Sequence, residues 1–388
     1  MWAKIIILAV ESNIRGVTKM KVGIPQETKN NENRVGITPA GVVSLVHAGH
    51  QVIVEHHAGE GAGYPDSDYE QAGAILGTAT EAWACDLVIK VKEPVPEEYH
   101  FFHEGLILYT YLHLAPDIQL TQALLAAKVT GVAYETMVGP RGGLPLLVPM
   151  SEVAGRMAVQ VGAHFLEENH GGKGVLLAGV PGVAKGNVVI VGGGTVGFNA
   201  AEIALGLGAH VKLLDINAAR LAEIETAFNG NIQTLISNPF NLAQAIKTAD
   251  LVIGAVLIPG HTAPKLVSEA MIQSMEPGSV VVDIPVDQGG IFATTDHATT
   301  HDDPVFVKDG VVHYAVANIP GAVPKTATAA LTNVTIPYAV TIANEGIEAA
   351  AKHNATILTG VNTYAGHLTE AAVAASQGVS ATDLVTLI

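Results

Sequence analysis

The sequence predicts an α/β protein made of two doubly wound units with mainly parallel sheets. Short apolar runs alternate with helical patterns from Met20 to about Glu135, and a second such series begins near Gly171. The second series contains a glycine-rich turn between a strand and a helix, and 388 residues are enough for two cores.

In the first series, Val22–Ile24, Gln51–Glu55, Leu87–Val91, Leu106–Thr110 and Val132–Glu135 read as strands. Segments near 39–48, 66–76 and 116–128 read as helices, several opened by Pro or Asp. Continuous apolar strands separated by helices imply a parallel sheet covered on both faces, with ligands gathering at the carboxyl ends of the strands. A Pro/Gly-rich link over 140–150 leads into an apolar helix from Pro149 to about Glu168, with Ser151 placed to cap it.

The second series opens on the glycine-dense Gly171–Gly182 and has strands at Asn187–Val191, Val211–Leu214, Leu251–Gly254 and Val280–Asp283. The tail from about Pro324 is Ala/Thr-rich and helical in pattern, with no strand series of its own, so it is expected to pack on the first unit. The expected organisation is one unit of 20–146 with 325–388 and another of 147–324. Residues 1–19 form an extension that need not be native: the apolar run Ile5–Val10 is short for a secretion signal, and Met20 opens a more typical soluble start.

Composition narrows the function. With 49% hydrophobic and 14% charged residues the chain is globular rather than disordered. Its net charge of -16, without a local Lys/Arg cluster, makes nucleic acid a poor partner. No segment approaches the roughly 18 uninterrupted apolar residues of a membrane span. The single cysteine, Cys85, can form neither an internal disulfide nor a Cys-rich metal cluster, which fits a reducing compartment. No metal site is expected.

The strongest local signal is Asn187-Val-Val-Ile-Val-Gly192-Gly-Gly194-Thr195-Val196-Gly197, a strand ending in G-x-G-x-x-G ahead of an amphipathic helix. Gly192 allows the tight turn, Gly194 lets the backbone approach a pyrophosphate, and Gly197 lets helix and strand pack closely. The free N–H groups of the helix N-terminus face the phosphate charge. A second strand, His210–Asp215, ends in a carboxylate suited to the ribose hydroxyls and repulsive to a 2′-phosphate, which favours NAD over NADP. The bland alternative is a glycine turn kept for packing, with a surface Asp beyond it.

In the first unit Arg34, Lys92 and His113 fall near predicted strand ends. Arg presents a planar fork for a carboxylate and Lys a compact charge able to reach a carbonyl oxygen, though each could also be a surface cation. His113 lies among apolar neighbours, so a core histidine competes with an acid/base group titrating near neutral pH. The other histidines show no comparable setting or metal-ligand spacing. Asp287, in a turn beyond the strand Val280–Asp283, reads either as a site carboxylate or as the cap of a glycine turn.

Together these residues resemble the alanine dehydrogenases, over nearly the whole chain from Met20. The matching motifs are Met20-Lys-Val-Gly-Ile-Pro-Gln-Glu-Thr-Lys-Asn-Asn-Glu-Asn-Arg34-Val, Lys90-Val-Lys92-Glu-Pro, His113-Leu-Ala, Met150-Ser151-Glu-Val-Ala-Gly-Arg, the glycine loop and Asp287-Gln-Gly-Gly. The first motif and the glycine loop are shared with nicotinamide nucleotide transhydrogenases and saccharopine dehydrogenases; His113 with Asp287 singles out alanine dehydrogenase.

The resemblance implies two Rossmann-like domains, a discontinuous substrate domain and an inserted NAD domain, with the active site in the cleft between them. It implies reversible NAD-dependent deamination of L-alanine to pyruvate and ammonia by a cytoplasmic homo-hexamer. Arg34 and Lys92 would bind the carboxylate and carbonyl of pyruvate, and His113 and Asp287 would act as acid/base pair. Ser151, Arg220 and Asn318 would join Asp215 and the loop Gly192, Gly194, Thr195, Val196, Gly197 around NAD. One departure is His297, where some members have a cofactor-contacting Arg. Two other readings are a transhydrogenase-type NAD(H)-binding subunit, which would not need His113 and Asp287 as a pair, and a non-enzymatic NAD sensor, in which the cations and His113 would be idle.

Overall fold

The computed structural model describes residues 19–256 and 263–388, so all of the expected extension but Lys19 lies outside the described residues. The chain divides into two compact units, Met1–Pro149 with Val323–Ile388, and Met150–Ala322.

The strands in chain order are β1 (Lys21–Ile24), β2 (Gln51–Glu55), β3 (Ile75–Gly77), β4 (Leu87–Ile89), β5 (Ile107–Thr110) and β6 (Thr130–Ala133). Then follow β7 (Asn187–Val191), β8 (His210–Asp215), β9 (Gln233–Ile236), β10 (Leu251–Gly254) and β11 (Val280–Asp283). The last are β12 (Val305–Lys308), β13 (Val311–Tyr314), β14 (Val361–Tyr364) and β15 (His367–Leu368).

In the first unit the sheet order is β15-β14-β6-β5-β4-β1-β2-β3. The strands from β6 to β3 pair in parallel, while β14 runs antiparallel to β6 and β15 antiparallel to β14. Because β1 lies between β2 and β4, the order reverses there, and the loops after β1 and β4 flank a topological switch point. The core on one face gathers Trp83, Val88, Leu108, Leu120 and Leu124 with Leu368 and Val373 of the tail.

The second sheet has the order β12-β13-β11-β10-β7-β8-β9, parallel except for β12. Its reversal is at β7, so the loop after β7 occupies the switch point. Val189, Val191, Leu242, Ile246, Val252, Val281 and Phe292 are in its core. The two doubly wound, mostly parallel sheets bear out the fold class read from the alternating pattern.

Several elements differ from that reading. The helix expected over 66–76 ends at Gln71, because Gly73 adopts φ +95°, and the chain then enters β3. The strand expected to run to Glu135 stops at Ala133, and Tyr134–Thr136 forms a 3₁₀ turn. The long helix starts at Val148 rather than after Ser151, so Ser151 is in the first turn and does not cap it. Pro149 is tolerated so early in a helix because its missing N–H would have no intrahelical partner there. The tail, read as strandless, contributes β14 and β15, joined through Ala365 and Gly366, both at positive φ.

Candidate functional site

In the first unit the switch point places Arg34, after β1, near the segment Lys90–Glu93 that follows β4. Arg34 is 3% exposed, and its Nε and Nη2 each donate to a carboxylate oxygen of Glu32 at 2.6 Å. Burial works against the guanidinium charge, but Glu32 outweighs it and the Arg34 pKa lies above its ordinary value. The N–H of Val35 donates to Thr328 Oγ1 at 3.2 Å, so the tail helix Pro324–Glu345 steadies this loop.

After β4 the cations divide in role. Lys90 is fully buried, its ammonium 3.1 Å from Glu27 and 3.2 Å from Glu98. Burial opposes its charge and the two carboxylates overcome that, leaving its pKa above the ordinary lysine value. Glu27 also accepts the N–H of Val91 at 2.6 Å and that of Lys92 at 3.3 Å, fixing the backbone from which the half-buried Lys92 projects. Lys90 is therefore structural, whereas Lys92 reaches the surface.

His113 follows β5 and is exposed rather than in the core. Its φ is +49°, unusual for a residue with a Cβ, and Glu135 Oε1 accepts its N–H at 2.6 Å. The same carboxylate accepts the N–H of Leu112 at 3.1 Å. The imidazole stacks beside Tyr111 with ring centroids 6.0 Å apart, and Tyr111 donates its hydroxyl to Leu146 O at 2.6 Å. Glu93 ties the cluster together: burial pushes its carboxyl up, but the charges of His113, Lys92 and Lys29 hold it below the usual carboxylate range. Thus Arg34, Lys92 and His113 all sit at carboxyl ends of one sheet.

In the second unit Gly192 has φ +108°, and its N–H donates to Leu214 O at 2.8 Å. A Cβ on Gly197 would meet Gly192 O at 1.8 Å, whereas one on Gly194 would meet nothing within 4 Å. Gly197 is therefore required by packing, and Gly194 leaves space open ahead of the helix Thr195–Gly206. Thr195 and Val196 form its first turn, whose backbone N–H groups suit an anion. Asp215, at the end of β8, accepts Gly193 N–H at 2.6 Å and Asn217 N–H at 2.8 Å. Arg220 donates to Gly193 O at 2.7 Å, pairs with Glu223 at 2.8 Å and lies over the Phe198 ring. Open space, a helix N-terminus and a carboxylate at the next strand end suit a dinucleotide.

Ser151, half-buried in the first turn of Val148–Phe165, and Asn318, at φ +64° after β13, belong to this same unit. Asn318 O accepts from His301 Nε2 at 3.1 Å and from Gly321 N at 2.8 Å. Asp287 lies in the 3₁₀ turn Val286–Gln288, exposed and without a hydrogen-bond partner among the described residues. The cap of the adjacent glycine turn is Asp283, 1% exposed, which accepts the N–H of Ile291 at 3.0 Å. Its burial raises its carboxyl pKa against the pull of those amides. His297 is exposed and pairs with Asp296 at 2.5 Å.

Glu32, Glu93, Glu135 and Asp283 escaped the sequence reading. Glu32 had a signal, lying two residues from Arg34; Glu135, 22 residues from His113, had none.

Two doubly wound units, one with a glycine loop at its switch point, define an α/β protein of the dinucleotide-binding class. The chain belongs to the alanine dehydrogenase/PNT family. Residues 23–154 match its N-terminal domain and 158–371 its C-terminal domain. It is 59% identical over 371 residues to an alanine dehydrogenase of Geobacillus stearothermophilus, covering 95% of this chain and all of that protein. It is also 59% identical to one from Lysinibacillus sphaericus, over 93% of this chain and 97% of that one. A solved L-alanine dehydrogenase superposes with a TM-score of 0.90 at 49% identity, covering 92% of this chain and 99% of that one. A transhydrogenase from Sinorhizobium meliloti aligns with a TM-score of 0.78 at 27% identity, over 90% of this chain and 99% of that one. The resemblance read from the motifs is borne out. Among the described residues no helix is long and apolar enough to cross a membrane.

Proposed function

We propose that the chain catalyses reversible NAD-dependent deamination of L-alanine to pyruvate and ammonia. The observation that carries this reading is that each sheet has its polar cluster at the carboxyl ends of its strands, around its own switch point, in a chain 59% identical to an alanine dehydrogenase over 95% of its length. The first unit takes the substrate and the second NAD; Ser151, Gly192, Gly194, Thr195, Val196, Gly197, Asp215, Arg220 and Asn318 surround it.

NAD held by the glycine loop and Asp215 would supply the hydride acceptor for Cα, and NADH the donor in the reverse direction. Arg34, with its guanidinium plane set by Glu32, holds the substrate carboxylate, and Lys92 holds the carbonyl oxygen. Fixing those two groups would restrict the motion of Cα, as hydride transfer over about 3–3.5 Å requires. His113 and Asp287 would supply the acid/base groups: one takes a proton from the alanine ammonium and passes it to solvent, then takes one from the water that adds to the iminium carbon and returns it to the nitrogen, which leaves as the new hydroxyl becomes the carbonyl. Alanine, NAD+ and water would thus yield pyruvate, ammonium, NADH and one proton released to solvent. On the family resemblance we also propose that the protein is a cytoplasmic homo-hexamer.

The test is NADH absorbance with L-alanine plus NAD, and with pyruvate, ammonium and NADH, for wild type, His113→Ala and Asp287→Asn. Turnover in both directions, lost in both variants while NADH still binds, is expected. A folded wild type that binds NADH without turnover would instead support the transhydrogenase-type or sensor reading.

A further inference from the structure

Away from the strand ends, the end of the helix Val148–Phe165 carries an arrangement that the reaction does not use. His164 is its penultimate residue, and the short turn Glu168–His170 brings a second imidazole back alongside it. The two rings lie 3.8 Å apart between centroids. Glu167 stands between them, with Oε1 4.0 Å from His164 Nδ1 and Oε2 3.3 Å from His170 Nδ1. One ligand atom from each of the three lies within 4.8 Å of the others.

We propose that His164, Glu167 and His170 form a site for a divalent cation of the Zn²⁺, Co²⁺ or Ni²⁺ kind. His170 Nδ1 is sealed from solvent yet makes no hydrogen bond among the described residues. Its pairing with Glu167 Oε2 at 3.3 Å falls outside hydrogen-bond geometry, and an ion coordinated by both groups would satisfy that sealed nitrogen. Two imidazoles and one carboxylate suit a borderline cation, whereas Ca²⁺ and Mg²⁺ prefer oxygen ligands. The helix C-terminus adds a favourable field for positive charge. His164 and Glu167 also line a surface cavity of about 480 Å³, leaving room for water to complete the shell.

The rival cluster, His57, Glu60 and Asp66, is weaker because its groups already serve the fold. Asp66 accepts the N–H of His57 at 2.8 Å and pairs with His56 at 3.2 Å, while His57 pairs with Glu60 at 2.8 Å.

The experiment uses the full chain, freed of any polyhistidine tag and stripped of metal. Zn²⁺ is titrated by calorimetry and Co²⁺ by visible absorption, on wild type, His164→Ala, His170→Ala and Glu167→Gln, with Glu60→Gln as control. Wild type should bind Zn²⁺ and develop the Co²⁺ bands, and each of the three ligand variants should lose about tenfold or more in affinity. Glu60→Gln should bind like wild type, and circular dichroism should show all variants folded. Should Glu167→Gln alone unfold, the histidine variants decide. Wild type that fails to bind, or histidine variants that bind as tightly as wild type, overturns the proposal.

Discussion

The carboxylate of Glu135 accepts the backbone N–H of His113 at 2.6 Å while His113 holds φ at +49°. The strained conformation and its anchor come from different strand ends, and together they turn the imidazole outward. Glycine enters this region without the penalty of a Cβ. His113→Gly and His113→Ala should therefore lose turnover equally, with the glycine variant more stable by about 1 kcal/mol. Denaturation curves of the two variants check this; equal stability would remove the strain from the account.

Glu135→Ala leaves two amide N–H groups without their acceptor. It should cost about 1–3 kcal/mol of stability and lower kcat more than it raises KM, because it loosens His113 rather than the substrate contacts. Steady-state kinetics beside a melting curve separate the two effects.

The glycine loop predicts opposite phenotypes for neighbouring substitutions. Gly197→Ala drives a Cβ to 1.8 Å from Gly192 O and should destabilise the second unit. Gly194→Ala meets nothing within 4 Å and should melt like wild type while losing NADH affinity. Fluorescence titration with NADH and a thermal melt are sufficient; a Gly194→Ala protein with intact affinity would move the pyrophosphate elsewhere.

Acid should act partly through Glu93. Its folded pKa is depressed below 4.5 by the neighbouring cations despite burial. Its contribution is therefore present above pH 4.5 and lost as pH falls through the lower folded value. Glu93→Gln should be less stable than wild type at neutral pH, and the gap should narrow on acidification below 4.5. Melting temperatures across that range test the sign.

Lys90 is held by two buried carboxylates, so Lys90→Met should destabilise by about 3–5 kcal/mol, since it strands both charges. Lys92→Met should leave stability close to wild type and raise KM for pyruvate.

What was legible in the sequence was mostly local. The runs Asn187–Val191, Leu251–Gly254 and Val280–Asp283 are apolar but for Asn187 at the start of the first and Asp283 at the end of the last, and fold as strands over those same residues. The strands β12 and β13 were missed although Asp309-Gly310, both at positive φ, is a strong hairpin signal. The turn at Ala365-Gly366 was harder to see, because alanine seldom takes φ +49°. At the candidate site, residue type and position singled out Arg34 and His113 as candidates, but their anchors depend on which loops the sheet order brings together. Asp283 and Asp287 illustrate the limit: the glycine turn needs one carboxylate, and only the folded backbone decides which.

The pairing of β14 with β6 also orders events in time. Gly131 N–H donates to Thr363 Oγ1 at 2.9 Å, a contact spanning 232 positions of the chain. During synthesis all of Met150–Ala322 emerges from the ribosome before Val361–Tyr364 can reach that edge. Until then β6 presents an open row of donors and acceptors, a surface on which a nascent chain can pair wrongly and a chaperone can bind. The second unit has all its strands before the first, so a nascent chain that has emerged from the ribosome as far as residue 323 carries one sheet with all its strands and one still missing its border.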